Sequence, residues 1–526
     1  NFYPIQLMKQ QENNTDLLQD ETLSQKLIKK GFWLYLFSYL IAPGGYLIRL
    51  LISNSPEISV ADVGILYSII SLISFLNVYN DLGLTESLQY FLPKFWIKKE
   101  YNNIKTTIYL SFLVQFWTAI LIALGLWFGS DWLAANYFHN PVSADILKYF
   151  CLYFLWINLF QTFQSIFIAF QKTFDYQLVE FIRMRSVVWF SFFCFLTNRG
   201  TIERYSLNRL LWLGVWILIA GFIYYKNYHH SLMQGKFEWN KPMLKEYRKY
   251  ALWSFIWLNI SSVFWQIIQQ LVLYFLGDES AGYFANFQSL FNMGFVIIWP
   301  IMGLIFPMVS ALIEKKDQKK LWLLFSFFYT YFSVLILSIS ILFIALWPEI
   351  AIALFGEKYQ TSGQLLSRTW IFLIFNILTG FNFSVLAGLG KIRERVKILG
   401  IWIIITILFT YWGIRFFGLR GAGIGFGIGY LSLWWFSLPY LFKAGKIHIQ
   451  SKFIIKNLII LTILGALVFL GKREIGLLSG NRWLIIAGLV EIWIVYALCF
   501  AATNWRQVGF FRNEIRKIAW KTITKS

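Results

Sequence analysis

Residues 321–347 read LWLLFSFFYTYFSVLILSISILFIALW and contain no charged side chain. The hydrocarbon core of a bilayer is about 30 Å thick and an α-helix rises about 1.5 Å per residue, so about 20 apolar residues span it. Backbone polar groups in lipid must be hydrogen-bonded within the protein, and a helix satisfies them. This stretch is therefore predicted to form a transmembrane helix.

Comparable apolar stretches fill the chain from residue 31 to residue 501. Of the 526 residues, 58% are hydrophobic and 14% are charged, whereas a soluble domain carries about 25% charged residues. The sequence therefore predicts an all-α polytopic membrane protein with about 14 transmembrane helices. We place these helices at 31–54, 62–90, 105–128, 144–170, 174–198, 206–225, 249–276, 281–311, 321–347, 365–389, 396–417, 420–442, 454–471 and 482–501.

An internal repeat divides the first twelve spans into two groups. ADVGILYS at 61–68 resembles AGYFANFQ at 281–288, which pairs Gly64 with Gly282, and further pairs follow in order at a nearly constant offset. Such a repeat predicts two pseudo-symmetric six-helix lobes related by an axis along the membrane normal. The predicted units are an N-terminal tail (1–30), an N-lobe (31–225), an inter-lobe linker (226–248), a C-lobe (249–442), an extra helix pair (443–501) and a basic tail (502–526).

Loop charges predict the orientation. Lys and Arg are about threefold more frequent in loops on the side of the termini, so both termini and the linker are expected in the cytoplasm. A basic cytoplasmic face against anionic lipid explains the net charge of +21 without a nucleic acid partner. Residues 1–25 lack the pattern of a cleaved signal peptide. Two predicted outer loops are basic and could contact an external anion or lipid phosphate: Arg199, Arg204 and Arg209, and Lys472, Arg473 and Arg482.

Three segments carry a family resemblance. They read APGGYLIRLLISNSPEISVADVGILYSIISLISFL at 42–76, NDLGLTESLQYFLPKF at 80–95 and GLRGAGIGFGIGYLSL at 418–433. These segments resemble Wzx-type oligosaccharide flippases of the multidrug/oligosaccharidyl-lipid/polysaccharide (MOP) exporter superfamily, which also includes multidrug-and-toxin extruders and the lipid II flippase. The resemblance implies lobes in a V-shaped arrangement, an extra C-terminal helix pair, a monomer, and a place in the plasma (inner) membrane of a prokaryote.

Among the arginines inside predicted spans, three in the N-lobe are candidate ligands: Arg49, Arg183 and Arg185. A charge at membrane depth needs a partner or a water-filled cavity, and guanidinium groups bind pyrophosphate bidentately. All three are therefore candidates for binding an anionic head group. In the alternative interpretation, Arg49 extends to the outer head groups, and Arg183 pairs with Glu180 near the cytoplasmic interface.

Carboxylates inside the predicted spans are few. Asp81, Glu86 and Glu491 are candidates for coupling transport to protons or sodium ions. Alternatively, Asp81 pairs with an arginine of its lobe, and Glu491 contacts head groups or a neighbouring helix. A carrier of organic cations is expected to concentrate acids in its cavity, so the excess of arginines favours an anionic cargo.

Proline and glycine interrupt two spans. Pro43, Gly44 and Gly45 lie in the first span, and Pro300 and Pro307 lie in the matching lobe. Proline removes a helical hydrogen bond and glycine eases bending. These positions are candidate hinges for alternating access, with a static kink as the alternative interpretation.

A glycine stripe occupies a later span. Gly421, Gly425 and Gly429 are spaced by four residues, and no βαβ context for a nucleotide site surrounds them. They are predicted to allow close packing between helices. The four histidines and three cysteines show no metal-ligand spacing, so neither a metal nor another cofactor is expected.

Three function classes remain. The favoured hypothesis is a flippase that moves a polyprenyl-pyrophosphate-linked oligosaccharide to the outer leaflet for cell-surface polysaccharide synthesis. The alternatives within the superfamily are a cation or drug antiporter and a lipid II flippase. A glycolipid-processing enzyme is disfavoured, because no predicted outer loop gathers acidic and basic groups. Expected partners are membrane lipids, the lipid-linked oligosaccharide, and a glycan polymerase or glycosyltransferases.

Overall fold

The computed structural model describes residues 37, 40–41, 43–170, 173–314, 321, 324–388, 391–444, 451–478 and 481–503. Almost all of these residues are helical, and none of them forms a strand. The predicted all-α membrane fold is therefore confirmed. Within this part of the chain, 9 stretches are long and apolar enough to cross a bilayer, and two of these contain a glycine break between successive helices. The count of about 14 helices stays a prediction.

The helices follow the predicted spans closely. Helix α1 covers 43–54. It is followed by α2 (Val60–Asp81), α3 (Leu84–Ile97), α4 (Tyr101–Leu133), α5 (Val142–Ala169), α6 (Thr173–Leu196) and α7 (Ile202–Tyr224). Helix α4 continues as a π-helical turn to Phe138, ten residues beyond the predicted end at 128. Each predicted span in this region overlaps a helix, so apolar length located the helices although their ends differ.

The second half begins with a long helical stretch, Lys241–Glu314, which Gly277 (φ 82°) divides into α8 (241–276) and α9 (278–314). Helices α10 (Ser333–Phe355), α11 (Gln360–Thr369) and α12 (Leu373–Gly388) follow. The stretch Ile392–Ala444 is divided by Gly418 (φ 57°) into α13 (392–417) and α14 (419–444). The chain then forms α15 (Ser451–Leu478) and α16 (Arg482–Thr503).

The last two helices pack against α10. Their contact is a separate apolar cluster, in which Leu342 and Leu346 of α10 lie among Leu464 and Val468 of α15 and Leu489 of α16. This cluster attaches the final helix pair to the second half of the chain. The boundary between the two halves is formed elsewhere, by α2 with α8 and α9.

That boundary is closest where α2 and α9 begin. A Cβ atom on Gly64 would lie 1.8 Å from the carbonyl oxygen of Asp278, and one on Gly282 would lie 2.1 Å from the carbonyl oxygen of Val60. The contact is reciprocal, as expected for two residues that the sequence repeat pairs. Small residues allow helix backbones to approach this closely in a membrane.

Hydrogen bonds continue the contact along α2 and α8. Gln269 donates to the Ser68 hydroxyl (3.0 Å), and Gln270 donates to the Ser68 carbonyl oxygen (2.8 Å). The Ser71 hydroxyl in turn donates to the carbonyl oxygen of Gln266 (3.1 Å). Because lipid offers no competing partners, such bonds add to the packing that holds helices together.

The second predicted span, 62–90, is not one continuous helix. Leu82 (φ 52°) and Gly83 (φ 74°) both adopt the left-handed conformation and separate α2 from α3. A Cβ atom on Gly83 would lie 2.3 Å from the carbonyl oxygen of Ala251 in α8. Glycine is required here both for its positive φ and for this close approach.

Asp81 stabilises this break. Its carboxylate accepts hydrogen bonds from the backbone amides of Gly83 (3.1 Å) and Thr85 (3.2 Å), the Thr85 hydroxyl (3.0 Å) and the Gln115 amide (2.9 Å). The two amides belong to the start of α3, where backbone N–H groups lack helical partners. Asp81 therefore caps α3, which explains why a buried carboxylate stands at this position.

We expect Gly64→Ala to destabilise the protein by about 1–3 kcal/mol, because its methyl group would collide with the Asp278 carbonyl. The measurement is the apparent thermal midpoint of the purified protein in detergent. Gly125→Ala is the matched control, since no atom lies within 4 Å of its Cβ position. Equal midpoints for the two variants would contradict the close contact.

We expect Asp81→Ala to destabilise the protein by about 1–3 kcal/mol, because four donors lose their acceptor. Asp81→Asn keeps one carbonyl oxygen, so its loss should be smaller. Thermal midpoints of both variants test this order. If both variants kept the wild-type midpoint and lost transport equally, the carboxylate would serve ion coupling rather than capping.

Candidate functional site

The α1–α2 corner, which the charge pattern assigns to the outer side, is tied to the second lobe. We call these contacts the outer seam. Three hydrogen bonds form it, from Asn286 to the Ser53 hydroxyl (3.1 Å), from Asn54 to the Leu354 carbonyl (2.7 Å) and from Lys358 to the Ile58 carbonyl (2.9 Å). All three cross from one lobe to the other. The lobes can separate at this end only if these bonds break.

Arg49 adds a charged contact to the outer seam. Its guanidinium donates to the carbonyl oxygen of Ala285 in α9, and its Cζ lies 3.6 Å from the ring centroid of Tyr67. Among the described residues, no carboxylate forms an ion pair with it. Arg49 therefore does not extend to the outer head groups: its charge is held between the lobes by a neutral carbonyl and an aromatic ring.

A second arginine approaches the same ring. The Cζ of Arg209 lies 5.9 Å from the Tyr67 ring centroid, and Tyr67 itself is buried. Arg209 was grouped with the cations of the outer loop although the predicted span 206–225 includes it, and the structure places it two turns inside α7. Thr201 caps that helix by accepting from the Arg204 amide, so α7 begins at Ile202 rather than 206. The N-cap threonine was the signal that could have placed Arg204 inside the helix as well.

Arg183 is neutralised. Its Nε and Nη2 atoms both donate to the Glu180 carboxylate one turn earlier on α6, and Gln164 of α5 also donates to that carboxylate (3.3 Å). This is the second of the two arrangements considered for Arg183. A guanidinium engaged in this way offers an anion less than Arg49 does, because the anion would have to displace Glu180.

Arg185 remains without a described carboxylate partner. It donates to the carbonyl oxygen of Leu40 (2.8 Å), and its Cζ lies 5.1 Å from the Phe181 ring centroid. Helix α1 lies close to this part of α6, since a Cβ on Gly44 would meet the Met184 side chain at 2.5 Å. Helices α1 and α6, which carry the three predicted arginines, are therefore neighbours.

Of the candidate carboxylates, Asp81 and Glu86 lie close together, because both contact the Thr85 hydroxyl, and Glu491 lies apart from them. Asp81 caps α3 and has four donors, as described above. Glu86 is half-buried and accepts from the Thr85 hydroxyl (3.1 Å). Glu491 is exposed on α16. These three positions therefore do not form one acidic cavity within the described residues.

The candidate hinges lie in helical backbone. Pro43, Gly44 and Gly45 fall in α1, and residue 42 before them is outside the described residues. Pro300 and Pro307 fall in α9, and their side chains are outside the described part of the structure. The choice between hinge and static kink stays open at both places.

The glycine stripe lies at the contact of α13 with α14. A Cβ on Gly421 would lie 1.8 Å from the Gly413 carbonyl oxygen, and one on Gly425 or Gly429 would lie 2.5 Å or 2.3 Å from an atom of Thr410 or Thr406. The three glycines therefore face the preceding helix, and the close approach requires their small size.

Two basic residues of the last predicted outer loop have partners inside the protein. Lys472 pairs with Glu349 (3.0 Å) and Arg482 pairs with Glu357 (2.9 Å). Both acids belong to the α10–α11 region. Because these pairs neutralise the two cations, the region around Tyr67 remains the stronger candidate for an anion.

The geometry supports a chemical role for Arg49 and Arg209 together. Two guanidinium groups flank one buried tyrosine, at the place where the two lobes meet, and neither forms an ion pair with a described carboxylate. A phosphate oxygen is a stronger acceptor for a guanidinium than a neutral carbonyl oxygen. An anionic ligand reaching Arg49 would therefore compete with the Ala285 carbonyl and weaken the outer seam.

Comparisons with known proteins agree with this architecture. The chain is 26% identical over 457 residues to an uncharacterized membrane protein of Methanocaldococcus jannaschii, covering 84% of this chain and 88% of that protein. The structure of the present chain matches the lipid II flippase MurJ in an inward closed conformation with a TM-score of 0.70 and 13% identity, over 90% of this chain and 99% of that chain.

A multidrug resistance MATE family transporter of the MOP superfamily, in an inward-facing conformation, matches with a TM-score of 0.58 and 14% identity, over 77% of this chain and 93% of that chain. At such identities the likeness concerns the fold. Residues 27–313 match the polysaccharide biosynthesis protein family. The chain is therefore a multi-pass membrane protein that belongs to the polysaccharide biosynthesis protein family and has the fold of the MOP exporter superfamily.

Proposed function

We propose that this protein is a flippase that moves an oligosaccharide linked to a polyprenyl pyrophosphate from the cytoplasmic to the outer leaflet of a prokaryotic plasma membrane. The observation that carries the proposal is the pair Arg49 and Arg209 around Tyr67, unneutralised by any described carboxylate. Their double positive charge suits a pyrophosphate. Membership of the polysaccharide biosynthesis protein family supports a sugar-bearing cargo.

The proposed mechanism is alternating access between the two lobes. In the orientation that the loop charges predict, both termini are cytoplasmic, and the outer seam closes the space between the lobes on the outer side. The pyrophosphate enters between the lobes and replaces the Ala285 carbonyl oxygen as the hydrogen-bond acceptor of the Arg49 guanidinium. The seam then opens, while the polyprenyl chain stays in lipid. Cargo binding thereby favours the outward-open state, as coupling between a ligand and two conformations requires.

This role needs partners on both sides of the membrane. Glycosyltransferases would supply the lipid-linked sugar at the cytoplasmic face, and a polymerase would use it at the outer face. The chain itself would act as a monomer without a catalytic step. The acidic residues favour this role over cation antiport, because Asp81 is occupied as a helix cap.

We expect Arg49→Gln and Arg209→Gln each to lower the rate of lipid flipping about tenfold or more, because each removes a charge-assisted bond to phosphate. The assay uses proteoliposomes with a fluorescent polyprenyl-pyrophosphate oligosaccharide in one leaflet. Efflux of an organic cation is followed in parallel. Arg415→Gln is the matched control, because this exposed arginine lies 4.7 Å from the ring of Phe275 and outside the proposed site.

Three outcomes would contradict the proposal. If both arginine variants flipped the lipid at the wild-type rate, the pyrophosphate would not bind at Arg49 and Arg209. Cation efflux without lipid movement would make the protein an antiporter. Transport restricted to a lipid carrying the muropeptide of lipid II would place the protein with the lipid II flippases instead.

A further inference from the structure

Arg395 is a further guanidinium of the second lobe that forms no ion pair with a described carboxylate, and its sequence context did not mark it as a candidate. It lies in the first turn of α13, at the predicted cytoplasmic end. Its Cζ is 5.3 Å from the ring of Trp257 in α8 and 5.0 Å from the ring of Phe383 in α12. Its Nε is shielded from solvent and has no hydrogen-bond partner among the described residues.

Among the described residues, the helices that contact Arg395 offer no compensating charge. Residues 251–276 of α8 contain no charged side chain, and α12 contains none either. On its own helix, Arg393 and Lys397 are exposed and Glu394 is half-buried, and none of the three forms a described ion pair with Arg395. The N-terminus of α13 adds the positive end of a helix dipole. An uncompensated cation at such a place is unfavourable unless an anion binds it.

The position is open on an apolar side. Trp257 is 37% exposed, and its neighbours on α8, Trp253 and Leu252, are 62% and 55% exposed. A ligand that carries both a phosphate and an apolar chain would match this combination. Its phosphate would meet Arg395, and its chain would lie along the exposed face of α8.

We propose that Arg395 binds the phosphate of a lipid at the cytoplasmic end of the second lobe. The lipid is either the polyprenyl-pyrophosphate cargo, in which case the inference rests on the proposed function, or an anionic phospholipid of the bilayer. Trp257 and Phe383 hold the guanidinium in place through their ring faces. The second lobe thus contributes an anion site separate from Arg49 and Arg209.

The test measures binding to the purified full-length protein in detergent. Polyprenyl pyrophosphate, phosphatidylglycerol and inorganic pyrophosphate are titrated separately, and the thermal midpoint is followed because a ligand that binds the native state raises it. Arg395→Met is compared with Arg415→Met, since both residues contact aromatic rings on the same helix and only Arg395 belongs to the proposed site. Arg395→Lys keeps the charge without the planar fork.

We expect at least one of the two lipids to raise the wild-type midpoint, with an affinity about tenfold weaker in Arg395→Met and intermediate in Arg395→Lys. Arg415→Met should behave as wild type. Without ligand, Arg395→Met should be as stable as wild type or more so, because a buried unpaired charge is removed. The lipid whose binding depends on Arg395 identifies the source of the phosphate.

Equal lipid affinities in wild type and Arg395→Met would overturn the inference, as would the absence of binding by either lipid. A large fall in the midpoint of ligand-free Arg395→Met would also overturn it, because the ring contacts would then serve stability alone. These results are separable from the proposed function. A protein that flips its cargo but binds no lipid through Arg395 would refute only this inference, and one that binds but does not flip would refute only the proposed function.

Discussion

The close approach of α2 and α9 at Gly64 and Gly282 is the contact on which the rest of the structure depends. Apolar side chains gain little by leaving lipid for one another, so helices in a membrane associate through close packing and hydrogen bonds. The two glycines allow each helix start to reach the other's backbone carbonyls. The bonds of Ser68 and Ser71 to α8, and the outer seam, lie along the same boundary.

This boundary also determines which charges remain available. Arg183 is neutralised within its own helix, and Lys472 and Arg482 are neutralised by acids of the α10–α11 region. Arg49 instead meets the carbonyl of Ala285 across the boundary. A neutral acceptor holds a guanidinium in place without cancelling its charge, so the bond can be exchanged for one to phosphate. In the proposed function, Arg49 therefore combines a structural role in the outer seam with recognition of the cargo.

Sequence reasoning located the helices and the repeat because both depend on local pattern. Apolar length placed predicted spans that overlap the observed transmembrane helices. The pairing of Gly64 with Gly282 came from the repeat alone. The break at Leu82 and Gly83 was missed, since one apolar run covers both helices and the αL leucine leaves no compositional mark. The start of α7 was predicted four residues late, because the helix begins after a threonine cap rather than at the first apolar residue.

The sequence by itself determined the membrane-spanning class and the all-helical fold, because bilayer thickness and hydrogen bonding in lipid act on each segment separately. It also identified the charged residues within the spans. Only the tertiary structure decided which of these charges keep an anion-binding capacity. Glu180 reaches Arg183 from one turn away, whereas Tyr67, Trp257 and Phe383 reach their arginines from other helices. Whether a charge is neutralised depends on what the neighbouring helix places beside it, and that is set by packing rather than by local sequence.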